Sequence, residues 1–454
     1  MKIHLIAIGG SAMHNMALAL KKKGYSVSGS DDEINEPSKS RLENAGILPE
    51  NIGWFPEKIN QELDAVIVGM HARADNPELL KAKNIGLKIY SYPEYIYEQS
   101  RNKIRVVIGG SHGKTTITSM ILHVLGFYKK DFDYLVGAQL KGFDTMVKFS
   151  EDAPFMIIEG DEYLSSPIDT RPKFHLYHPN IALISGIAWD HINVFPTFDI
   201  YVDQFRKFIQ LVSDGGKLIY CNKDEVLKEL TEKTTCKGDK IAYEIPEYSI
   251  ENGTSYLFYE GEKYPMKIFG EHNLMNLEGA SKVCESLGIS IKEFIIAMQS
   301  FEGAAKRLEL VRQSETFTFY KDFAHSPSKL KATINAVKKQ VPNRKLTAVI
   351  ELHTFSSLNE NFLAEYKDSM NEADEAIVYF NPHTIQHKKL KAISPEQVKE
   401  SFGQHKNLSV YTDSSSIAKY LELEVWENRN LLMMSSGNFD GVNFEKLGSM
   451  LKCN

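Results

Sequence analysis

The segment Gly109-Gly110-Ser111-His112-Gly113-Lys114-Thr115-Thr116 contains the residue types that bind nucleotide phosphates. It follows an apolar run of strand length, Arg105–Ile108, and precedes a helical pattern. Glycines let backbone N–H groups turn toward phosphate oxygens, and the N-terminus of the following helix adds a favourable dipole. Lys114 can reach the terminal phosphates, and the Thr115 hydroxyl can ligate Mg²⁺. The segment predicts ATP binding by a short loop, because Ile108 occupies the first glycine position of the G-x-x-x-x-G-K-[ST] pattern.

Two further polar groups follow apolar runs. Glu159-Gly160-Asp161-Glu162 comes after the run Phe155–Ile158, and Asp190-His191 comes shortly after Ile181–Ile184. Parallel α/β sheets place ligands at the carboxyl ends of their strands. With Thr115, these groups offer hard oxygens and an imidazole for one or two divalent ions. The alternatives are a solvated acidic turn and an Asp-His cap or surface pair.

The elements that position these residues belong to an α/β protein. Apolar runs of strand length alternate with helical patterns along the chain, and several runs are continuous, as in parallel strands covered on both faces. The other predicted strands are Lys2–Ile8, Ala65–Gly69, Phe317–Tyr320, Leu346–Ile350, Ala376–Tyr379 and Leu431–Met434.

The chain is too long for a single hydrophobic core, since it has 454 residues. The polar segment 97–103 and the segment 302–307 are candidate joints, which predicts domains at 1–103, 104–303 and 304–454.

Composition excludes several classes of protein. The net charge of −6 gives no general attraction to nucleic acid or to an anionic membrane. We expect no membrane-spanning segment and no signal peptide. The four cysteines lack metal-ligand spacing, which favours reduced thiols in a cytoplasmic protein.

The N-terminal segment is similar to a dinucleotide fingerprint. Gly9, Gly10 and Ser11 follow the first strand, and Asp31 follows the second. The G-x-G-x-x-G glycines are incomplete, so NAD binding is only weakly indicated.

Taken in order, the motifs resemble those of the Mur ligase family, the ATP-dependent amide-forming enzymes of peptidoglycan synthesis. The matching segments are Gly110–Thr115 (G-T-x-G-K-T), Glu159–Glu162 (E-A-D-E), Asp190-His191 (D-H), His272–Asn276 (H-N-x-x-N), Phe301–Glu309 (F-x-G-x-x-R-R-x-E) and Asp322–Pro327 (D-x-A-H-x-P). The resemblance implies three α/β domains: an N-terminal Rossmann-like domain, a central P-loop ATPase-like domain and a C-terminal Rossmann-like domain. The C-terminal ligase domain would bind the incoming amine.

The resemblance also implies a role for each matching residue. ATP would be bound by Gly110, Ser111, His112, Gly113, Lys114, Thr115, Thr116, Asn273, Asn276, Arg307 and Asp322. Mg²⁺ would be bound by Thr115, Glu159 and His191, and the catalytic set would be Lys114, Glu159, His191, Arg307 and His325. A structural role for His325 is equally open. Gly10, Ser11 and Asp31 would bind the UDP part of UDP-N-acetylmuramate; His71 would line the same crevice or cap the next helix.

The amine substrate has two candidates within the family. The segments 161–195 and Met434–Gly441 resemble the branch that uses the murein tripeptide L-alanyl-γ-D-glutamyl-meso-diaminopimelate, which we favour over L-alanine. A non-catalytic nucleotide-binding or NAD-linked protein is the alternative from another class.

The sequence departs from the family pattern at a few positions. Gly186 and Ala188 stand where the family usually has asparagine and glutamate. Arg206 falls where some members carry a carbamylated lysine, so we expect no such modification. The sequence gives no indication of oligomeric state.

Overall fold

The computed structural model describes residues 1–140, 142–166, 169–189, 191–304 and 307–452. Every strand predicted from an apolar run is present, with ends that differ by two residues or fewer. The N-terminal part forms β1 (Lys2–Ile6), α1 (Ser11–Lys22), β2 (Ser26–Ser30), α2 (Ser38–Asn44), β3 (Ala65–Val68), α3 (Pro77–Asn84), β4 (Ile89–Ser91) and α4 (Tyr92–Ser100).

The central part contains the largest sheet. Its elements are β5 (Ile104–Gly109), α5 (Lys114–Phe127), β6 (Phe132–Leu135), β7 (Val147–Lys148), β8 (Phe155–Glu159), β9 (Leu164–Ser166), β10 (Asp169–Pro172), β11 (Ile181–Ile184), α6 (Phe198–Gln210), β12 (Lys217–Cys221), α7 (Glu225–Lys233), β13 (Asp239–Tyr243), β14 (Tyr248–Glu251), β15 (Thr254–Tyr259), β16 (Glu262–Met266), α8 (Glu271–Ser286) and α9 (Ile291–Met298).

The C-terminal part again alternates strands and helices. Its elements are β17 (Glu309–Gln313), β18 (Phe317–Asp322), α10 (Pro327–Gln340), β19 (Lys345–Leu352), β20 (Glu375–Phe380), α11 (Pro382–His387), α12 (Pro395–Ser401), β21 (Leu408–Tyr411), α13 (Ser414–Leu423), β22 (Arg429–Met434) and α14 (Phe444–Met450). Short 3₁₀ helices cover Pro56–Lys58, Lys173–Leu176 and Leu363–Tyr366.

Three largely parallel sheets result, one in each of the predicted domain ranges. Their strand orders are β2-β1-β3-β4, β13-β12-β11-β5-β8-β6-β7 and β17-β18-β22-β19-β20-β21. Strands β7 and β17 run antiparallel at the edges, and all other neighbours in these sheets are parallel. All residues of β3 and of β11 are buried, as expected for strands covered by helices on both faces. The predicted α/β fold class is confirmed.

The residues cluster into two compact units. The first comprises 1–187, 198–243 and 279–289, and the second comprises 188–197, 244–278 and 290–454. The first unit therefore contains both the four-stranded and the seven-stranded sheet. The second contains the six-stranded sheet and the small antiparallel sheet β14-β15-β16.

Arg105 ties these two sheets of the first unit together. Its guanidinium is buried and donates to the carbonyl oxygens of Ser100, Arg101, Lys103, Tyr177 and His178. A charged group with this many acceptors fixes the path of the chain from α4 into β5, where the phosphate loop begins.

Membrane-spanning helices and disulfides are both absent among the described residues. None of their helices combines the length and apolar character that crossing a bilayer demands. Cys221, Cys236 and Cys284 are free thiols, while Cys453 lies outside the described residues.

A buried histidine–carboxylate pair crosses the first sheet. His4 Nε2 lies 3.2 Å from Glu78 Oε2, and both side chains are fully buried. The remaining polar atoms are also satisfied, because His4 Nδ1 lies 2.9 Å from Ser28 Oγ and Glu78 Oε1 accepts the Phe55 N–H at 2.6 Å. Burial alone would raise the pKa of Glu78, but the hydrogen bonds from His4 and Phe55 outweigh it and hold that pKa below its ordinary value.

We predict that Glu78→Gln lowers the free energy of unfolding by about 3 kcal/mol at neutral pH, because it breaks one side of a buried pair. A depressed carboxyl pKa contributes stability above the unfolded value near 4.5, and that contribution is lost as the pH falls through the folded value. The acid-side loss of stability should therefore be weaker in the variant. Urea unfolding at several pH values, followed by the fluorescence of Trp54 beside this core, measures both effects.

Glu62→Gln is the matched control, since Glu62 pairs with Lys2 on the surface. An equal effect of the two substitutions would contradict the role of the buried pair.

Candidate functional site

The phosphate loop runs from the end of β5 to the start of α5, as the sequence predicts. Gly110 and Gly113 have φ values of +123° and +77°, conformations that favour glycine. A Cβ on Gly110 would clash with Ser185 Oγ, so the loop passes too close to the end of β11 to carry a side chain there. The amides that follow Gly113 therefore form the open N-terminus of a 14-residue helix.

Lys114 is the cation of this loop. Its Nζ donates to the Gly110 carbonyl at 2.7 Å and to Glu162 Oε2 at 2.6 Å. The Glu162 side chain is 1% exposed and the Lys114 side chain is 15% exposed, so the carboxylate is buried and the ammonium group is largely shielded from solvent. Burial would lower the pKa of Lys114, but the carboxylates of Glu162, Asp161 and Glu159 together raise it above its ordinary value. Lys114 is therefore held in its charged form.

Thr115 and Glu159 are in direct contact. The Thr115 hydroxyl donates to Glu159 Oε1 at 2.7 Å, and Glu159 Oε2 accepts the Gly137 N–H at 2.8 Å. Gly137 lets the carboxylate approach this closely, because a Cβ there would lie 2.7 Å from Glu159 Oε1. The predicted grouping of the loop with the end of β8 is thus present, since β5 and β8 are neighbouring strands.

These residues fit ATP with a hard divalent cation. The loop supplies backbone amides and a charged lysine, and a hydroxyl and a carboxylate stand side by side as hard oxygen donors of the kind Mg²⁺ prefers. Among the described residues, no three histidine, cysteine, aspartate or glutamate side chains cluster as a metal site. The Thr115 hydroxyl and the Glu159 carboxylate are donors that a cation shared with phosphate oxygens would use.

The acidic turn after β8 is only partly solvated. Glu162 is buried against Lys114, and Asp161 accepts a hydrogen bond from Lys173 Nζ at 2.6 Å. The sequence did not single out Glu162 for this role, nor Tyr201, whose hydroxyl lies 3.2 Å from Glu162 Oε1. Their signal in the sequence is weak, because a tyrosine in an amphipathic helix usually indicates core packing.

The predicted UDP-binding residues of the first sheet lie together. Gly10 precedes α1 and Ser11 begins it. The Asp31 carboxylate accepts the Gly9 N–H at 2.6 Å, and burial raises the pKa of Asp31 despite that bond. A Cβ on Gly10 would lie 3.6 Å from the ring of His71. His71 does not cap α3; the cap is Asn76, whose side chain accepts the N–H groups of the first turn.

His191 belongs to the second unit, in the segment 188–197. Its φ is +54°, and its carbonyl accepts the N–H groups of Val194 and Phe195 at 2.8 and 2.9 Å. Ile192 packs against the core of the six-stranded sheet and anchors this turn. Asp190 lies outside the described residues, as do Ala305 and Lys306 of the 302–307 joint.

The second unit also holds the N-terminal half of α8, up to Glu278, and the described residues of the joint. Asn273 and Asn276 are buried near the N-terminus of α8, and Asn273 Nδ2 donates to the Phe269 carbonyl at 2.9 Å. Burial first, and then the charge of Arg307, lower the pKa of neighbouring His272 to about 4. The Arg307 guanidinium stacks over the Phe323 ring at 4.8 Å from its centre. This stacking orients the guanidinium plane.

Asp322 has a structural role that the sequence did not predict. Its carboxylate accepts the Leu308 N–H at 2.7 Å and the Ala324 N–H at 2.6 Å. Burial raises the pKa of Asp322, and these bonds and Arg307 counteract the shift. Three residues on, His325 Nδ1 lies 2.8 Å from the Phe323 carbonyl oxygen. Both residues therefore fix the turn between β18 and α10.

A buried carboxylate also organises the carboxyl edge of the six-stranded sheet. Glu351 accepts hydrogen bonds from the Ser435 hydroxyl and from the Phe439 N–H at the end of β22. A Cβ on Gly437 would meet Glu351 Oε2 at 2.8 Å and the His353 ring at 2.8 Å. The end of β19 and the loop 435–440 are therefore held together by buried contacts.

Comparisons with known proteins identify three domains of one family along most of the chain. Residues 2–103 match the model of the Mur ligase family catalytic domain, residues 108–284 match the Mur ligase middle domain, and residues 306–437 match the Mur ligase glutamate ligase domain. A UDP-N-acetylmuramate–L-alanine ligase from Desulforamulus reducens is 30% identical over 390 residues, which is 83% of this chain and 82% of that protein.

Two solved structures share the fold over almost the whole chain. A murein peptide ligase from Psychrobacter arcticus aligns with a TM-score of 0.64 at 22% identity, covering 99% of this chain and 98% of that one. A UDP-N-acetylmuramate–alanine ligase from Thermotoga maritima aligns with a TM-score of 0.69 at 21% identity, with the same coverage. The expected three-domain α/β architecture is confirmed by these matches.

We predict that Gly137→Ala lowers ATP-dependent turnover by about tenfold or more, because the new Cβ would push Glu159 away from Thr115 and remove a charge-assisted hydrogen bond. The measurement is kcat/KM for ATP at several Mg²⁺ concentrations, at which high Mg²⁺ should partly restore the rate. Gly126→Ala in α5 is the control, since a Cβ there meets nothing within 4 Å. Equal rates for the two variants would show that Glu159 does not act at this position.

Proposed function

The chain belongs to the Mur ligase family of ATP-dependent, ADP-forming ligases, and we propose that it joins UDP-N-acetylmuramate to L-alanyl-γ-D-glutamyl-meso-diaminopimelate. The reaction forms an amide between the muramate carboxylate and the alanyl amine, in peptidoglycan recycling in the cytoplasm. One observation supports the ATP-dependent step. A charged Lys114, paired with Glu162, stands next to the contact between Thr115 and Glu159 at one end of the sheet.

Amide formation from a carboxylate is uphill in water, and oxide is a poor leaving group. In the proposed reaction the carboxylate oxygen attacks the γ-phosphorus of ATP, which gives an acyl phosphate and releases ADP. The peptide amine then attacks the acyl carbon, and inorganic phosphate leaves as the amine loses a proton. Such a reaction depends mainly on positioning and on neutralising the phosphate charge.

The loop and its neighbours supply these two contributions. The amides of 110–116 and Lys114 would hold the β- and γ-phosphates. Thr115 and Glu159 would hold one Mg²⁺ and His191 a second; bound metal would neutralise phosphate charge and polarise the reacting oxygens. Arg307, already oriented by the Phe323 ring, would contact the transferring phosphoryl group.

The remaining parts of the substrates are assigned to the other residues that match the family motifs. We assign Asn273 and Asn276 to the adenine, Asp322 to the ribose and His325 to substrate orientation. Gly10, Ser11, Asp31 and His71 are assigned to the UDP group, whose pyrophosphate would lie at the N-terminus of α1. Asp31 binds the Gly9 amide, so it fixes the shape of that loop in addition to any contact with uridine.

The tripeptide is the favoured amine because of two sequence segments. Residues 161–195 and Met434–Gly441 carry the pattern of the tripeptide-using branch. The second segment includes the loop that Glu351 holds at the carboxyl edge of the third sheet, where α/β folds bind ligands. L-Alanine is the second candidate, and the 30% identity to an L-alanine ligase favours it.

We predict ADP release when the protein is given ATP, Mg²⁺, UDP-N-acetylmuramate and the tripeptide, and much slower release when L-alanine replaces the tripeptide. A coupled ADP assay measures both rates, with product mass as the check. Turnover with L-alanine alone would select the second candidate. Silence with both amines would favour a non-catalytic nucleotide-binding protein.

We predict that Lys114→Ala reduces turnover below detection while the affinity for UDP-N-acetylmuramate changes little, because the lysine is assigned to ATP alone. Calorimetric titration measures the affinity, and Lys148→Ala, which removes an exposed lysine of the same unit, is the control. Equal loss of turnover and of UDP-substrate binding would mean that the domain roles are wrongly assigned.

A further inference from the structure

Tyr201 is a fully buried tyrosine in the first turn of α6, whose hydroxyl faces the phosphate loop. That hydroxyl lies 2.8 Å from Ser111 Oγ and 3.2 Å from Glu162 Oε1. It thus joins a residue inside the loop to the carboxylate that pairs with Lys114. Tyr201 lies 90 positions from Ser111 and 39 from Glu162, so only the fold brings the three together.

The hydrogen bonds form one continuous chain. It runs from Ser111 through Tyr201 to Glu162, and from the other oxygen of Glu162 to Lys114 Nζ at 2.6 Å. Glu162 is almost completely buried, and a buried carboxylate is strongly destabilising unless its oxygens remain hydrogen-bonded. Each member therefore restricts the position of the next.

We propose that Tyr201 is a positioning residue for ATP binding. Its hydroxyl holds Glu162 and Ser111 in place, so that the Lys114 ammonium group is directed toward the terminal phosphates and can bind them. The proposal rests on the ATP-dependent reaction proposed above, and it adds a residue that the family motifs do not contain.

The physical reason lies in the competition for Lys114. Bound phosphates and Glu162 attract the same ammonium group, and turning Lys114 toward phosphate weakens one interaction of a buried carboxylate. The Tyr201 hydroxyl stays on Glu162 Oε1 and keeps that carboxylate hydrogen-bonded. When Lys114 turns from Glu162 to phosphate, the free energy lost at Glu162 is therefore smaller with Tyr201 than with phenylalanine at this position.

A purely structural role for Tyr201 is the competing explanation. Its ring packs edge-on against Phe205, with ring centres 5.3 Å apart, so the aromatic group contributes to the core. Tyr201→Phe retains this ring and removes only the hydroxyl. The variant therefore separates the hydrogen-bond chain from core packing.

The test compares Tyr201→Phe with Tyr95→Phe, which removes a hydroxyl from a tyrosine on α4 that is buried to a similar extent. We expect Tyr201→Phe to raise KM for ATP about tenfold, as for loss of a hydrogen bond to a charged group, with KM for UDP-N-acetylmuramate unchanged. Tyr95→Phe should leave both constants near those of the natural protein. An equal change in both KM values, or no change, would overturn the proposal.

A second arm uses Glu162→Gln, alone and with Tyr201→Phe. If Tyr201 acts through Glu162, the double variant loses much less than the product of the two single effects on kcat/KM for ATP. Independent effects that multiply would overturn the proposal.

Calorimetric titration with ATP and Mg²⁺ separates this proposal from the ligase reaction. Absence of turnover in the natural protein would reject the proposed function, yet weaker ATP binding by Tyr201→Phe would still support the positioning role. Turnover in the natural protein with unchanged ATP affinity and unchanged KM for ATP in Tyr201→Phe would reject the positioning role alone.

Discussion

The buried ion pair between Lys114 and Glu162 is the interaction on which the geometry of the phosphate site depends. A buried carboxylate paired with a largely shielded ammonium group is tolerated only when both partners are held and hydrogen-bonded. The fold meets this requirement because β5 lies beside β8, which brings the loop within contact of the turn that follows β8. It also requires small residues around the pair: a Cβ on Gly160 would lie 2.8 Å from Val107, and one on Gly110 would meet Ser185.

The sequence predicted the parts of this site that are local along the chain. A strand, a glycine loop and a helix form one continuous segment, so Lys114 and Thr115 could be placed from pattern alone. Glu159 was placed by a topological rule, because neighbouring parallel strands end at the same edge. Glu162 and Tyr201 were missed, since their roles depend on contacts 48 and 39 positions away and neither residue type is unusual in its own segment.

The same limit explains what was missed elsewhere. His4 lies in an apolar run and Glu78 lies in the first turn of α3, so neither residue is unusual in its own segment. Only the folded structure brings the two together as a buried pair. Asp322 was predicted as a ribose ligand, but its carboxylate also holds the backbone at Leu308 and Ala324. A carboxylate has about four acceptor positions, so the two roles are compatible. Substitution of Asp322 would nevertheless disturb the turn as well as the nucleotide.

The structure explains one departure from the family pattern, the glycine at position 186 where the family usually has asparagine. Its carbonyl accepts the Ser111 N–H at 3.0 Å, so the backbone here supports the phosphate loop directly. A Cβ at this position would lie 2.7 Å from the His112 ring and 2.9 Å from Asp224 Oδ2, and the φ of +150° adds strain for any side chain. Asp224 in turn accepts the Ile187 N–H at 2.7 Å and caps the N-terminus of α7. An asparagine at 186 would therefore require both His112 and Asp224 to move. The glycine at 186 and the positions of His112 and Asp224 depend on one another, so the absence of a polar side chain at 186 is not an isolated change.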